Sequence, residues 1–136
     1  MYDTVLVSID GSDPANRAAE HGQRIASAFD ADLHVIYVVD TRRYGRSSLG
    51  GSKAVLDELD ELGQTILEEF DASSEVPVTT EIRRGRPHEE IDEYASEIGA
   101  DVIVLGNRGL GDPGGDEIGS VAERVVRYSG RPVLTA

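Results

Sequence analysis

A strict alternation between short apolar, β-branched runs and segments of helical period constrains this chain more than any other feature of its sequence. Residues 4–9 form the first run and end in Asp10-Gly11-Ser12, a turn signal. Ser12 or Asp13 is placed to cap a helix, with Pro14 supplying a preset φ in its first turn. Ala15, Ala18, Ala19, Gly22, Ile25, Ala26 and Phe29 share one face of that helix, and their mostly small size suits close packing on a sheet. Residues 33–39 give a second strand, interrupted only by His34, and a Gly-, Ser- and Arg-rich loop spans about 40–52. Val55, Leu59, Leu62, Ile66 and Phe70 predict the inward stripe of a second helix. Val78, Thr80 and Ile82 alternate with Thr79, Glu81 and Arg83, the pattern of an exposed edge strand. Pro87 opens a third helix carrying Ile91, Tyr94, Ala95 and Ile98. Residues 101–105 form a fourth apolar strand, a glycine-rich loop follows, a helix spans about 119–129, and residues 132–135 form a last short strand.

Five strands and four helices in this order predict an α/β fold: an open parallel sheet with right-handed crossovers and helices on both faces, Rossmann-like in outline. Continuous apolarity makes strands one, two and four central and strands three and five edges, which gives the order 3-2-1-4-5. The topological switch then falls between strands one and four, and ligands bind such sheets at the carboxyl ends of the strands beside it. At 136 residues, with no internal repeat or linker, residues 1–136 are expected to form a single domain.

The chain has no cysteine, which excludes disulfide frameworks and thiolate metal sites and fits a reducing compartment. No apolar run reaches the roughly 18 residues of a membrane span. The start, Met1-Tyr2-Asp3-Thr4, lacks the basic region of a secretion signal, so a cytoplasmic location is expected. The net charge of −13 disfavours nucleic acid and anionic membranes as partners. Lys53 is the only lysine beside twelve arginines, and so acidic, lysine-poor a surface suggests a protein kept soluble at high salt.

The most informative stretch is Gly106-Asn107-Arg108-Gly109, then nine residues, then Gly119-Ser120-Val121. Glycines just past a buried strand let backbone amides approach a phosphate, and the N–H groups opening the next helix attract anions. Ser120 can donate a further hydrogen bond and Arg108 can offset phosphate charge. Three carboxylates in the intervening span, Asp112, Asp116 and Glu117, either face solvent or need a divalent metal to bridge them to a polyphosphate. Arg42, Arg43 and Arg46 form a basic cluster that leaves the ligand-facing edge after strand two; it either folds over phosphates or pairs with surface carboxylates.

The spacing Gly, two residues, Gly, nine residues, Gly, Ser at Gly106, Gly109, Gly119 and Ser120 resembles that of the nucleotide-binding universal stress proteins. The likeness extends to Asp10-Gly11-Ser12, to Gly85-Arg86-Pro87, to residues 100–106 and 119–126, and to Arg131-Pro132-Val133-Leu134. The resemblance implies ATP or AMP as ligand and a homodimer joined through residues 132–135; Mg²⁺ is the divalent metal that the loop acids would call for beside the phosphates. It further implies that Asp10 meets the ribose or adenine, that Val38 meets adenine through its backbone, and that residues 106–109 and 119–121 hold ribose and phosphates. The implied ligand-facing set is Ser8, Asp10, Val38, Leu105, Gly106, Arg108, Gly109, Gly119, Ser120 and Val121.

Other chemistries fail on named residues. His21, His34 and His88 have no metal-binding spacing, and Ser8 and Ser12 have neither a nucleophile elbow nor a histidine partner. Lys53 lies outside any P-loop pattern. Asp10-Gly11-Ser12 does not supply the glycines of a dinucleotide fingerprint. The third strand ends in Arg83-Arg84 where a phosphoacceptor receiver would carry Asp. The expectation is a stress-response regulatory module that binds an adenine nucleotide without fast turnover. The alternatives are a slow Mg²⁺-dependent ATP hydrolase using Asp10 or the loop acids, and a scaffold that binds no nucleotide.

Overall fold

The computed structural model describes residues 2–44, 52–109 and 117–136. Strands β1 (Thr4–Ser8), β2 (Asp32–Asp40), β3 (Val78–Gly85), β4 (Val102–Leu105) and β5 (Val133–Thr135) form one parallel sheet in the order β3-β2-β1-β4-β5. This is the expected order, with β3 and β5 at the edges. The helices are α1 (Asp13–Phe29), α2 (Thr41–Tyr44), α3 (Ser52–Ser73), α4 (Pro87–Ile98) and α5 (Ser120–Tyr128). The short α2 falls inside the span read as loop; four polar or bulky residues carry too little apolar period to announce it.

Alternation along the central strands divides the core between the two faces. Val5, Val7, Val35, Tyr37, Val39, Val102 and Val104 pack with α1 and α3, while Leu6, Ile36, Ile103 and Leu105 pack with α4 and α5. Helix α1 can approach closely because its inner stripe is Ala15, Ala18, Ala19, Gly22 and Ala26. A Cβ on Gly22 would stand 2.2 Å from Val7 Cγ2. Ser12 is the N-cap, its hydroxyl accepting from the Ala15 amide at 3.3 Å, and Asp30 ends the helix in a left-handed conformation with φ 52°. Phe29 departs from the expected stripe: it is 47% exposed and sits edge-on to Tyr2.

Helix α3 keeps part of its expected inward stripe: Leu59, Ile66 and Phe70 pack against the core. Val55 and Leu62 are exposed, and the buried line runs through Gly63 and Leu67 beside half-buried Leu56, Leu59, Ile66 and Phe70. Gly63 lies where a Cβ would meet the Tyr37 ring at 2.5 Å, so the helix rests on β2 at that point. Arg84 ties the outer strand β3 to α3 through Asp60 and through Asp57 at 2.9 Å. At the opposite end of the sheet, the Asp101 carboxylate accepts from the Asp3 amide at 2.8 Å and the Thr4 amide at 2.9 Å, fixing where β1 begins. Among the described residues, no helix is long and apolar enough to cross a membrane.

Candidate functional site

The carboxyl ends of β1, β2 and β4 open into a cavity of about 330 Å³. Because β1 separates β2 from β4, the cavity spans the topological switch. Its wall contains Ser8 and Asp10 from the end of β1, Val38 from β2, Leu105, Gly106, Arg108 and Gly109 from β4 and its loop, and Ser120 and Val121 from α5. Gly119 is buried behind them as the α5 N-cap. Nine of the ten residues singled out from the sequence therefore line one cavity, and Gly119 directly precedes its Ser120.

Local chemistry explains how each piece is held. The Ile9 amide continues the ladder onto the Ile36 carbonyl at 3.0 Å. Asp10 then folds the chain back, its Oδ1 accepting the Ser12 amide at 2.9 Å across Gly11, whose φ of 85° suits glycine. On the other side, Asn107 donates its amide to the Ala136 carbonyl at 2.7 Å, and its own carbonyl accepts from the Gly119 amide. The two glycine segments are thus joined at their base. Gly106 has a packing reason of its own: a Cβ there would lie 2.7 Å from Pro14 C and Ala15 N, so α1 begins directly against it. Helix contact thus gives this glycine a packing reason beside its place in the cavity wall.

Helix α5 starts at Ser120 with no side-chain cap, because Gly119 has none to offer. Its first amides lack intrahelical partners and sit at the positive end of the helix dipole, beside the cavity. Two buried polar atoms on the adjoining loop, Arg108 Nε and Asn107 Oδ1, have no hydrogen-bond partner among the described residues. Such groups are normally satisfied; an anion or water would complete the Arg108 Nε–H, and a donor such as water the Asn107 Oδ1.

The structure adds lining residues that sequence reasoning missed. Leu59 and Leu62 of α3, Tyr37 and Val39 of β2, and Pro87 make much of the wall apolar. Exposure of Leu62 at 47% on a well-packed helix is the signal that marks it, since an apolar side chain left half in water beside a cavity invites a covering group. Ile9, Asp40, Ala15 and Ala122 also line the wall, the first two directly extending strand ends already under suspicion. Arg42 of the basic cluster reaches the cavity too, and its guanidinium grips Asp40, with Nη2 at 3.2 Å from Oδ2. Arg46, Asp112, Asp116 and the Arg43 side chain lie outside the described residues; Glu117 is exposed. Among the described residues, no group of three or more metal-ligating side chains converges.

The histidines sit elsewhere. His34 Nδ1 is 3.0 Å from the Tyr94 hydroxyl, and burial holds its imidazole below the ordinary value against the pull of Asp32. Tyr94 in turn lies under Arg83, whose guanidinium is 4.9 Å from the ring centre and binds Glu81 and Glu97.

A family model described as the universal stress protein family matches residues 1–136. Universal stress protein MJ0531 of Methanocaldococcus jannaschii is 37% identical over 138 residues, covering 98% of this chain and 81% of that protein. The solved structure of MJ0577 superposes with a TM-score of 0.87 at 27% identity, covering 100% of this chain and 96% of the other. A universal stress protein solved in complex with cAMP is 30% identical with a TM-score of 0.67, covering 99% of this chain and 96% of that one. By sequence over its full span and by fold, the chain belongs to the universal stress protein family.

Proposed function

We propose that the cavity binds an adenine nucleotide and that the protein acts as a nucleotide-dependent stress-response module in the cytoplasm, a homodimer that binds rather than rapidly turns over its ligand. The observation that carries this reading is the convergence on one cavity with an apolar wall of the two glycine segments, the open α5 N-terminus and an Arg108 Nε without a partner among the described residues. Adenine would lie against Val38, Leu59 and Leu62, and the ribose near Asp10. Phosphates would take the amides of Gly109, Ser120 and Val121, the Ser120 hydroxyl and Arg108. The relative solved with cAMP supports an adenine nucleotide as the class of ligand.

Magnesium fits only as a companion of the phosphates. Mg²⁺ commonly keeps its waters and takes one or two carboxylates plus phosphate oxygens. Asp10, which lines the cavity at the end of β1, would supply such a carboxylate. Dimerisation would use β5, an edge strand whose Leu134 is 39% exposed. Calorimetric titration of ATP and AMP into nucleotide-free protein, at low and high salt, tests the reading. Binding at one site per chain, weakened about tenfold for ATP by Arg108→Ala, is expected. No heat from either nucleotide in either salt would refute it.

A further inference from the structure

Strand β2 outruns its inner neighbour. The last β1 pair is Ser8 with Ile36, after which the Ile9 amide bonds the Ile36 carbonyl at 3.0 Å. Beyond that point β2 continues to Asp40, held on its outer side by β3 as far as Gly85. Tyr37, Val38, Val39 and Asp40 all line the cavity. Alternation puts the Val38 and Asp40 side chains on one face of this overhang, about 6.6 Å apart along the strand. Val38 packs against the core cluster beneath α4 and α5. A purine laid on Val38 spans such a distance, so its edge meets Asp40.

The Asp40 carboxylate is held in a set orientation. Its Oδ1 accepts the Arg42 amide at 3.0 Å and Arg42 Nε at 3.3 Å, a turn that leads into α2. Its Oδ2 accepts from Arg42 Nη2 at 3.2 Å and from no second donor among the described residues. A carboxylate oxygen has room for two. Because Arg42 already balances the charge, Oδ2 is suited to a neutral donor rather than a second cation. The side chain is only 17% exposed and lines the cavity, so a ligand entering there can supply that donor. We propose that Asp40 selects the base, its Oδ2 accepting an N–H of the exocyclic amino group of an adenine laid on Val38. This rests on the nucleotide-binding reading and names what sets its choice of purine. A 6-oxo purine brings an acceptor against the same oxygen, with no proton between the two.

The test titrates ATP and inosine 5′-triphosphate into the unaltered protein and into Asp40→Asn. The two nucleotides share ribose and phosphates, so the ratio of their affinities reports the base alone. The unaltered protein is expected to bind ATP about tenfold more tightly than the inosine nucleotide. The Asp40→Asn side chain keeps one oxygen for the Arg42 amide and sets an amide N–H₂ in place of Oδ2. It should therefore bind the two alike, or prefer inosine. A fold defect would weaken both nucleotides together and leave their ratio unchanged; an unchanged ratio overturns the proposal. So does equal affinity in the unaltered protein, although the nucleotide reading then stands. Repeating the comparison with AMP and inosine 5′-monophosphate should return the same ratio, and a preference confined to the triphosphates contradicts base selection. Failure of all four nucleotides to bind the unaltered protein would instead bring down the nucleotide reading itself.

Discussion

The carbonyl of Asn107 accepts the amide proton of Gly119, closing the base of the loop between the two glycine segments. The Asn107 amide meanwhile donates to the Ala136 carbonyl at 2.7 Å, just past β5. One residue therefore holds the start of α5 and the end of the edge strand in register with the cavity. The glycine spacing acquires a structural meaning from this: its two halves, nine residues apart in sequence, are joined by a hydrogen bond.

Close packing at Gly106 should make it intolerant of any side chain. Gly106→Ala is expected to cost about 1–3 kcal/mol in a urea melt, because the new methyl would press on Pro14 and Ala15 at the start of α1. Gly130→Ala, where nothing lies within 4 Å of the added carbon, should stay within about 0.5 kcal/mol of the parent. Equal effects at the two positions would contradict the packing account.

Acid should loosen β1 through Asp101. Two backbone hydrogen bonds, from Thr4 and then Asp3, hold its carboxyl below the ordinary carboxylate value. A depressed carboxylate contributes stability above the unfolded value of about 3.8 and loses it as pH falls through the lower folded value. Asp101→Asn should lower the melting temperature at pH 7 and flatten the decline below pH 4 (about the unfolded value). Parallel melting curves for both proteins across that range would rule this out.

A different pH window belongs to His34. Its folded pKa is lowered chiefly by burial, so the neutral ring is favoured in the fold. The contribution is full above the unfolded value of 6.5 and falls as pH drops through the folded value. Tyr94→Phe removes the 3.0 Å hydrogen bond and should cost about 1 kcal/mol near neutrality. His34→Gln should reduce the stability lost between about pH 7.5 and 5.5, measured by chemical denaturation. An unchanged slope would assign the loss to other groups.

Placing a charge on the exposed edge tests the proposed dimer. Leu134→Arg puts a cation on β5 where an apolar side chain is 39% exposed. Sedimentation equilibrium should show the parent as a dimer and the variant as a monomer of unchanged fold, since like charges directly opposed across a strand pair are unfavourable. A parent that sediments as a monomer would remove β5 as an interface.

Much of this architecture was readable from residue patterns, because buried parallel strands announce themselves as apolar β-branched runs and the glycine spacing fixes where β4 meets α5. The inward face of α3 is legible only in part: Leu59, Ile66 and Phe70 pack against the core as their period implies, while Val55 and Leu62 are exposed. The helix rests on the Tyr37 ring at Gly63, and a residue without a side chain contributes nothing to an apolar period. Its expected inward place hid Leu62 from the list of cavity residues. The wall contributed by Tyr37 and Pro87 depends on how α3 and α4 flank the sheet edge, which spacing along the chain does not encode.

The most direct test of the central claim is to denature the purified protein, identify by mass any nucleotide released, and repeat with Gly119→Val. An adenine nucleotide recovered at about one per chain from the parent and absent from the variant is the expected result, because Gly119 caps the helix whose amides would hold the phosphates. A parent that releases no nucleotide and takes up neither ATP nor AMP when they are supplied would contradict the claim.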